Sequence, residues 1–185
     1  MRVTAGRLKG RNLAAPSDLA VRPTSDKVRQ AIFNILEHND FGGVALMSAR
    51  VIDLFAGTGA LAIEALSRGA SYAFLIDDSP ASRALLHRNV EALGLTGVTK
   101  IWRRDATGLG LCTSEPFDLA FLDPPYRRNL IVPALGSLRD GGWLRPGAII
   151  VVEMAEDEDI PSTDGYENLD VRVYGDTRVM FLRRI

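Results

Sequence analysis

Cysteine is nearly absent from this chain: Cys112 stands alone, so no internal disulfide can form, which suits a reducing compartment. Histidine is as scarce, with only His38 and His87, and no residues fall at zinc-ligand spacing, so metal-free chemistry is expected. No apolar run reaches the roughly 18 residues of a membrane span, and the polar, basic N-terminus lacks the apolar core of a signal peptide. A soluble cytoplasmic protein without a membrane partner is therefore expected. Repeats, low-complexity tracts and linkers are missing too. What remains is 185 residues, 46% of them hydrophobic, enough to bury one core in a single domain, 1–185.

The net charge of -1 hides an asymmetry. In residues 1–30, seven basic residues stand against two acidic ones, a local +5; the other 15 basic and 21 acidic residues give -6. Residues 1–23 thus read as a basic extension on a folded core, 24–185. Gly6 and Gly10 frame Arg7, Leu8 and Lys9, which suggests a short hairpin presenting positive side chains. Such an arm on an acidic body is an electrostatic handle for a polyanion such as nucleic acid. A merely solvated arm is the competing reading.

Thr24 or Ser25 can cap a helix running to about Glu37, with Val28, Ile32, Ile35 and Leu36 as its buried stripe and Lys27, Arg29 and Gln30 turned away. From Arg50 onward strands and helices alternate, the pattern of a parallel sheet covered on both faces. Strands are expected from Arg50 to Phe55, Tyr72 to Asp77, Thr99 to Arg104, Phe117 to Leu122 and Ala148 to Glu153. Helices are expected from Ala60 to Leu66 and between Ser79-Pro80 and Gly94. Two last strands, Leu169 to Tyr174 and Thr177 to Arg183, flank Gly175-Asp176 as an antiparallel pair. Four strands run into an acid: Asp77, Asp105, Asp123 and Glu153. Ligands of open α/β sheets bind outside the carboxyl ends of the strands, so these acids should rim one crevice.

Two stretches carry the chemistry. In Asp53-Leu54-Phe55-Ala56-Gly57-Thr58-Gly59 a buried strand meets a glycine turn and a helix N-terminus, where backbone N–H groups and the dipole favour a polar or anionic ligand group. Gly57 to Ala62 also fits the relaxed dinucleotide pattern G-x-G-x-x-A, so an NAD-dependent oxidoreductase is one possibility. Asp53 argues for S-adenosylmethionine instead: its carboxylate can meet an ammonium, whereas a pyrophosphate there would be repelled. Asp77 is then placed to accept from the ribose hydroxyls and Asp105 from the adenine amino group, with the Ala106 N–H facing the ring. Asp78 competes with Asp77 for that role, and Glu64 reads as a surface residue.

The second stretch is Asp123-Pro124-Pro125-Tyr126. A purine amino group is a poor nucleophile because its lone pair is delocalised into the ring. The Asp123 carboxylate and the Pro124 carbonyl can accept its N–H bonds and localise that pair. The prolines stiffen the turn, and Tyr126 can stack on the base. Arg127 and Arg128 can reach flanking phosphates, or be simply solvated. Trp102 and Trp143 read as packing.

With both motifs present, the chain resembles the class I S-adenosylmethionine-dependent methyltransferases that modify amino groups, and more narrowly the bacterial RsmD family, which methylates guanine N2 in 16S rRNA. The residues that carry the likeness are Gly6 to Leu13, Arg22-Pro23-Thr24 with Asp26, Val28 and Arg29, Phe33-Asn34, the block from Asp53 to Ala70, Asn89 with Leu93-Gly94-Leu95, the DPPY element, and Tyr174 to Thr177. The resemblance implies a Rossmann-like, seven-stranded, mostly parallel sheet with a reversed final hairpin. It implies S-adenosylmethionine as donor, S-adenosylhomocysteine as product, and the assembled or assembling small ribosomal subunit as substrate of a monomer. By the same likeness Arg22 to Thr24 lie near cofactor and base, Arg7, Lys9 and Arg11 hold RNA, and Asp77 is the ribose ligand. DPPY does not distinguish the purine, so adenine N6 is the alternative target. The acidic loop from Glu156 to Asp159 has no counterpart in that pattern.

Overall fold

The computed structural model describes residues 1–16, 26–38, 41, 46–160 and 162–185. Seven strands form one sheet: β1 (Arg50–Leu54), β2 (Tyr72–Ile76), β3 (Thr99–Trp102), β4 (Phe117–Leu122), β5 (Leu144–Ala155), β6 (Tyr166–Tyr174) and β7 (Thr177–Arg184). Their order is β3-β2-β1-β4-β5-β7-β6. The first five are parallel, and β7 lies antiparallel between β5 and β6. The chain runs outward from β1 to β3 and returns to β4, so the strand order reverses between β1 and β4, where open α/β sheets form their binding crevice.

Buried on both faces, the central strands read as continuous apolar runs that feed two cores. Val51, Leu75, Leu119 and Phe121 pack on the side of α1 (Asp26–His38), α2 (Ala60–Ser67) and α3 (Pro80–Ala92). Their neighbours Ile52, Leu54, Phe74 and Leu122 pack on the side of α4 (Ile131–Asp140). The expected two-faced architecture is what forms. No helix among the described residues is long and apolar enough to cross a membrane.

Several expectations need correction. The sequence reading had no α4, although Ile131, Ala134, Leu135 and Leu138 form a buried stripe. Pro133 and Gly136 mask it, yet proline costs little in a first turn, where the N–H has no helical partner. β5 starts at Leu144 rather than Ala148, carried through Arg145-Pro146-Gly147 by a register shift against β4 between Phe117 and Leu119. β6 begins at Tyr166 rather than Leu169, and β3 stops at Trp102 rather than Arg104. Trp143 is core, as expected, and Trp102 packs against it. The proposed cap at Thr24 or Ser25 lies outside the described residues.

The N-terminal arm folds back on itself through an antiparallel bridge between Arg2 and Asn12, with the Val3 N–H donating to Arg11 O (3.0 Å). It docks on α2. Gly6, at φ +76, sits so close that a Cβ there would lie 1.9 Å from the Ser67 carbonyl oxygen, so only glycine fits. Arg7 and Leu8 donate their N–H groups to Ser67 O (2.8 Å) and Ser67 Oγ (2.9 Å).

Glu64, read as a surface residue, and Arg29, read as turned away from the buried stripe of its helix, are both wholly buried. Glu64 accepts from the Thr4 N–H (2.8 Å), Thr4 Oγ1 (2.6 Å), the Ala5 N–H (3.0 Å) and Arg68 Nε (2.9 Å), and pairs with Arg29 Nε at 3.4 Å. Arg29 Nη2 reaches Asp26 (2.9 Å) and the Arg2 carbonyl. Burial pushes the Glu64 carboxyl up, but the bonds from Thr4 and Arg68 outweigh it and hold it below the usual carboxylate range. The arm is thus anchored by a satisfied internal charge.

Candidate active site

The parallel register sets Leu54 level with Ile76 and Leu122, Ile76 with Trp102, and Leu122 with Val152. The acids that follow those positions therefore emerge at one edge of the sheet. A cavity of about 330 Å³ opens there. Phe55 from the glycine stretch, Asp77 and Asp78 after β2, Asp105 and Ala106 after β3, and Pro125 of the DPPY element line its wall. The two motifs, separate in sequence, share one cavity. A larger hollow of about 500 Å³ between α1 and β6, lined by Asn34, His38, Arg172 and Tyr174 among others, carries none of these acids and is open to solvent.

The glycine corner is built from backbone geometry. Phe55, Gly57 and Gly59 all take left-handed φ, at 64°, 56° and 79°. A Cβ on Gly59 would lie 2.9 Å from Leu86 Cδ2 and 3.3 Å from Ile63 Cδ1, so glycine serves both turn and packing there. Asp77 Oδ2 accepts the Gly57 N–H (2.9 Å) while Oδ1 accepts the Ser79 N–H (2.9 Å). One carboxylate thus pins the turn to the start of α3 as well as facing the cavity. Thr58 is buried beside it, and its carbonyl accepts from Asn89 Nδ2 at 2.9 Å. Asn89 also exchanges bonds with Ala14 (2.8 and 3.0 Å), tying the end of the arm to this corner. Sequence reasoning gave Asn89 no role; its place on the buried side of α3 with Leu86 and Val90 was the available signal.

Asp53 points toward α2, where its Oδ2 accepts the Ala62 N–H at 3.3 Å. It is 1% exposed, and no cation among the described residues lies within ion-pair distance. Burial first, then the nearby Asp77 charge, pushes its carboxyl up to about 8, against the Ala62 bond that lowers it. A buried carboxylate so poorly compensated suits an ammonium brought by a ligand. The residues present could hold S-adenosylmethionine: Asp53 its amino group, the turn from Phe55 to Gly59 its amino-acid end, Asp77 the ribose, and Asp105 with Ala106 the adenine. Asp105 is exposed, with Oδ1 taken by the Thr107 N–H (2.8 Å) and Oγ1 (2.7 Å), bonds that hold its carboxyl below the usual range.

The DPPY corner is held by side chains rather than by glycines. Asp123 is half-buried, Pro124 buried and Pro125 exposed at the cavity rim. Tyr126 donates its hydroxyl to Glu153 Oε1 (2.9 Å) and lies 3.2 Å from Thr177 Oγ1, so an acid within β5, which runs past its expected end at Glu153 to Ala155, orients the tyrosine. Burial, with Glu153 next, pushes its phenol well above the usual range, and it stays protonated. Arg127 and Asn129 are non-glycine residues at left-handed φ, 59° and 54°. The Arg127 guanidinium is paired with Asp157 at 3.0 and 3.1 Å, and Arg128 is exposed at the cavity.

Of the arm residues, Arg7 and Lys9 are exposed, and Arg11, also exposed, donates Nη2 to Ala92 O (3.0 Å) at the end of α3. Arg22, Pro23 and Thr24 lie outside the described residues.

A family model described as "Conserved hypothetical protein 95" matches residues 1–183. The chain is 35% identical over 162 residues to the ribosomal RNA small subunit methyltransferase D of Escherichia coli, covering 88% of this chain and 78% of that protein. To the putative rRNA methyltransferase YlbH of Bacillus subtilis it is 34% identical over 168 residues, 89% of this chain and 88% of the other. The solved structure of the putative methyltransferase yhhF from Escherichia coli superposes with a TM-score of 0.84 at 31% identity, covering 100% of this chain and 97% of that one.

Proposed function

Because the chain belongs to the ribosomal RNA small subunit methyltransferase D family, we propose that it transfers the methyl group of S-adenosylmethionine to the exocyclic N2 of a guanine in 16S rRNA. The observation that carries this reading is the shared cavity, with Phe55 of the glycine stretch and Pro125 of the DPPY element on one wall. When bound, S-adenosylmethionine supplies an electrophilic methyl on a sulfonium. The rest is positioning. The Asp123 carboxylate and the Pro124 carbonyl accept the two N–H bonds of the target amine, directing its lone pair toward the cofactor side, and the proton shed by the methylated nitrogen leaves through the Asp123 carboxylate to solvent. Tyr126, fixed by Glu153 and kept protonated, offers its ring face to the base and not a proton acceptor. Alignment of this kind can supply several kcal/mol out of the roughly 7–11 available to well-oriented reactions.

Arg7, Lys9 and Arg11 hold the RNA backbone at a docked arm, and the family likeness adds Arg22 and Thr24 to the RNA-contacting residues. The substrate is the assembled or assembling small subunit, met by a monomer in the cytoplasm. Asp123→Ala tests the reading. Transfer of labelled methyl to small-subunit RNA should fall about a thousandfold, on the scale of ~4 kcal/mol of transition-state interaction, with S-adenosylhomocysteine affinity changed far less. An undiminished rate would sink the assignment. Mass spectrometry of the product nucleosides separates N2-methylguanosine from N6-methyladenosine.

A further inference from the structure

The acidic loop after β5 contributes more than charge. Glu158 Oε1 accepts the Arg127 N–H at 2.7 Å, and its Oε2 accepts the Ala155 N–H at 2.9 Å, so one carboxylate ties the residue after the DPPY tyrosine to the end of β5. Its backbone carbonyl accepts from Arg178 Nη1 at 2.8 Å, which fixes the loop to β7. Two residues of the tied segment, Arg127 and Asn129, hold left-handed φ without being glycine, a conformation that side chains resist and that persists only where surroundings impose it. A charge-assisted acceptor on the Arg127 N–H is such an imposition. Immediately before it, Tyr126 is bonded through its hydroxyl to Glu153 on β5 itself. The DPPY corner therefore hangs from β5 and its following loop by two carboxylates.

We propose that Glu158 is a positioning residue for methyl transfer: its carboxylate holds Arg127 in its left-handed conformation and so presets the DPPY corner for the target amine. This rests on the reading that DPPY receives the base. Glu158 faces the loop and not the cavity wall, so it acts through Arg127 and touches neither cofactor nor RNA base. Asp157 has a different part. Its pairing with the exposed Arg127 guanidinium orients a side chain that an RNA phosphate can take over, whereas the backbone bond to Glu158 survives that exchange.

The test uses the full chain with small-subunit RNA. Glu158→Ala should lower kcat at least tenfold while KM for RNA and the S-adenosylhomocysteine Kd stay within about threefold, and trypsin should cut after Arg127 or Arg128 at least tenfold faster. In an Arg127→Gly background, where positive φ is unstrained, the same Glu158→Ala change should cost less than threefold in kcat. Glu158→Gln, which leaves a single acceptor, should fall between wild type and Ala and serves if the Ala variant does not fold. Equal losses in both backgrounds, or wild-type kcat and proteolysis in Glu158→Ala, would overturn the proposal. The proteolysis readout needs no methyl transfer, so if the wild-type enzyme leaves this RNA unmethylated, the functional reading fails while the tether is still tested.

Discussion

Two buried carboxylates meet the same short helix and behave in opposite ways. Asp53, at the end of β1, has the Ala62 N–H at 3.3 Å and a carboxyl pushed up to about 8. Glu64, two residues further along α2, collects donors from Thr4, Ala5, Arg29 and Arg68 and is held below the usual range. Both lie beyond the reach of solvent, so burial does not separate them; the number of donors does. A saturated carboxylate is architecture, here the anchor of the basic arm. An unsaturated one is a demand on a ligand, and under the proposed function that ligand is the ammonium of the methyl donor.

The contrast breaks most visibly at Glu64. Its replacement by alanine leaves Arg29 with Asp26 and the Arg2 carbonyl alone, when one of its buried nitrogens, Nη1, already has no partner among the described residues. A loss of about 3–5 kcal/mol of stability is expected, roughly 10 °C in thermal midpoint for a chain of this length. A midpoint within 2 °C of wild type by calorimetry would place the anchor elsewhere. Asp53→Ala should do the reverse, costing the apo protein no stability at neutral pH while weakening S-adenosylhomocysteine binding about a hundredfold, or ~3 kcal/mol by titration calorimetry. Unchanged affinity would remove Asp53 from the site.

Titration sharpens the same pair. A carboxyl whose pKa is raised on folding stabilises the fold at low pH, and that contribution is lost as pH rises from near 4 to about 8. Asp53→Asn should therefore gain on wild type by up to about 1.4 kcal/mol per pH unit across that window in denaturant titrations. For Glu64 the sign is opposite: its contribution is present above the ordinary glutamate range and disappears as pH falls through the lowered folded value. Parallel stability curves for wild type and Asp53→Asn would contradict the first half. The smallest effect belongs to the arm that Glu64 secures. Arg7→Ala or Arg11→Ala should reduce the salt slope of RNA binding by about 1 each without changing cofactor affinity.

The legible parts of this molecule are those with a local signature. Glycines at Gly57 and Gly59, apolar runs ending in Asp77 and Asp123, and two adjacent prolines are readable because turn chemistry and strand period act between near neighbours. Glu64 was misread because an acid amid Ala60 to Ser67 has the same pattern whether its partners are water or Thr4, sixty residues away. Arg29 was misplaced for the same reason, lying off the apolar stripe of α1 yet facing Glu64. The loop from Glu156 to Asp159 had no local partner to suggest its use, and its bonds run to Arg127 and Arg178.

By itself the chain determined which segments become strands, that the backbone turns at Gly57 and Gly59, and which acids follow β2, β3 and β4, since each follows from side-chain volume, φ restriction and periodicity over a few positions. Only the tertiary structure decided which charges are satisfied and which are left wanting. That depends on dielectric and on donors brought from distant segments, quantities that exist only once the sheet has aligned its edge and the arm has closed over α2.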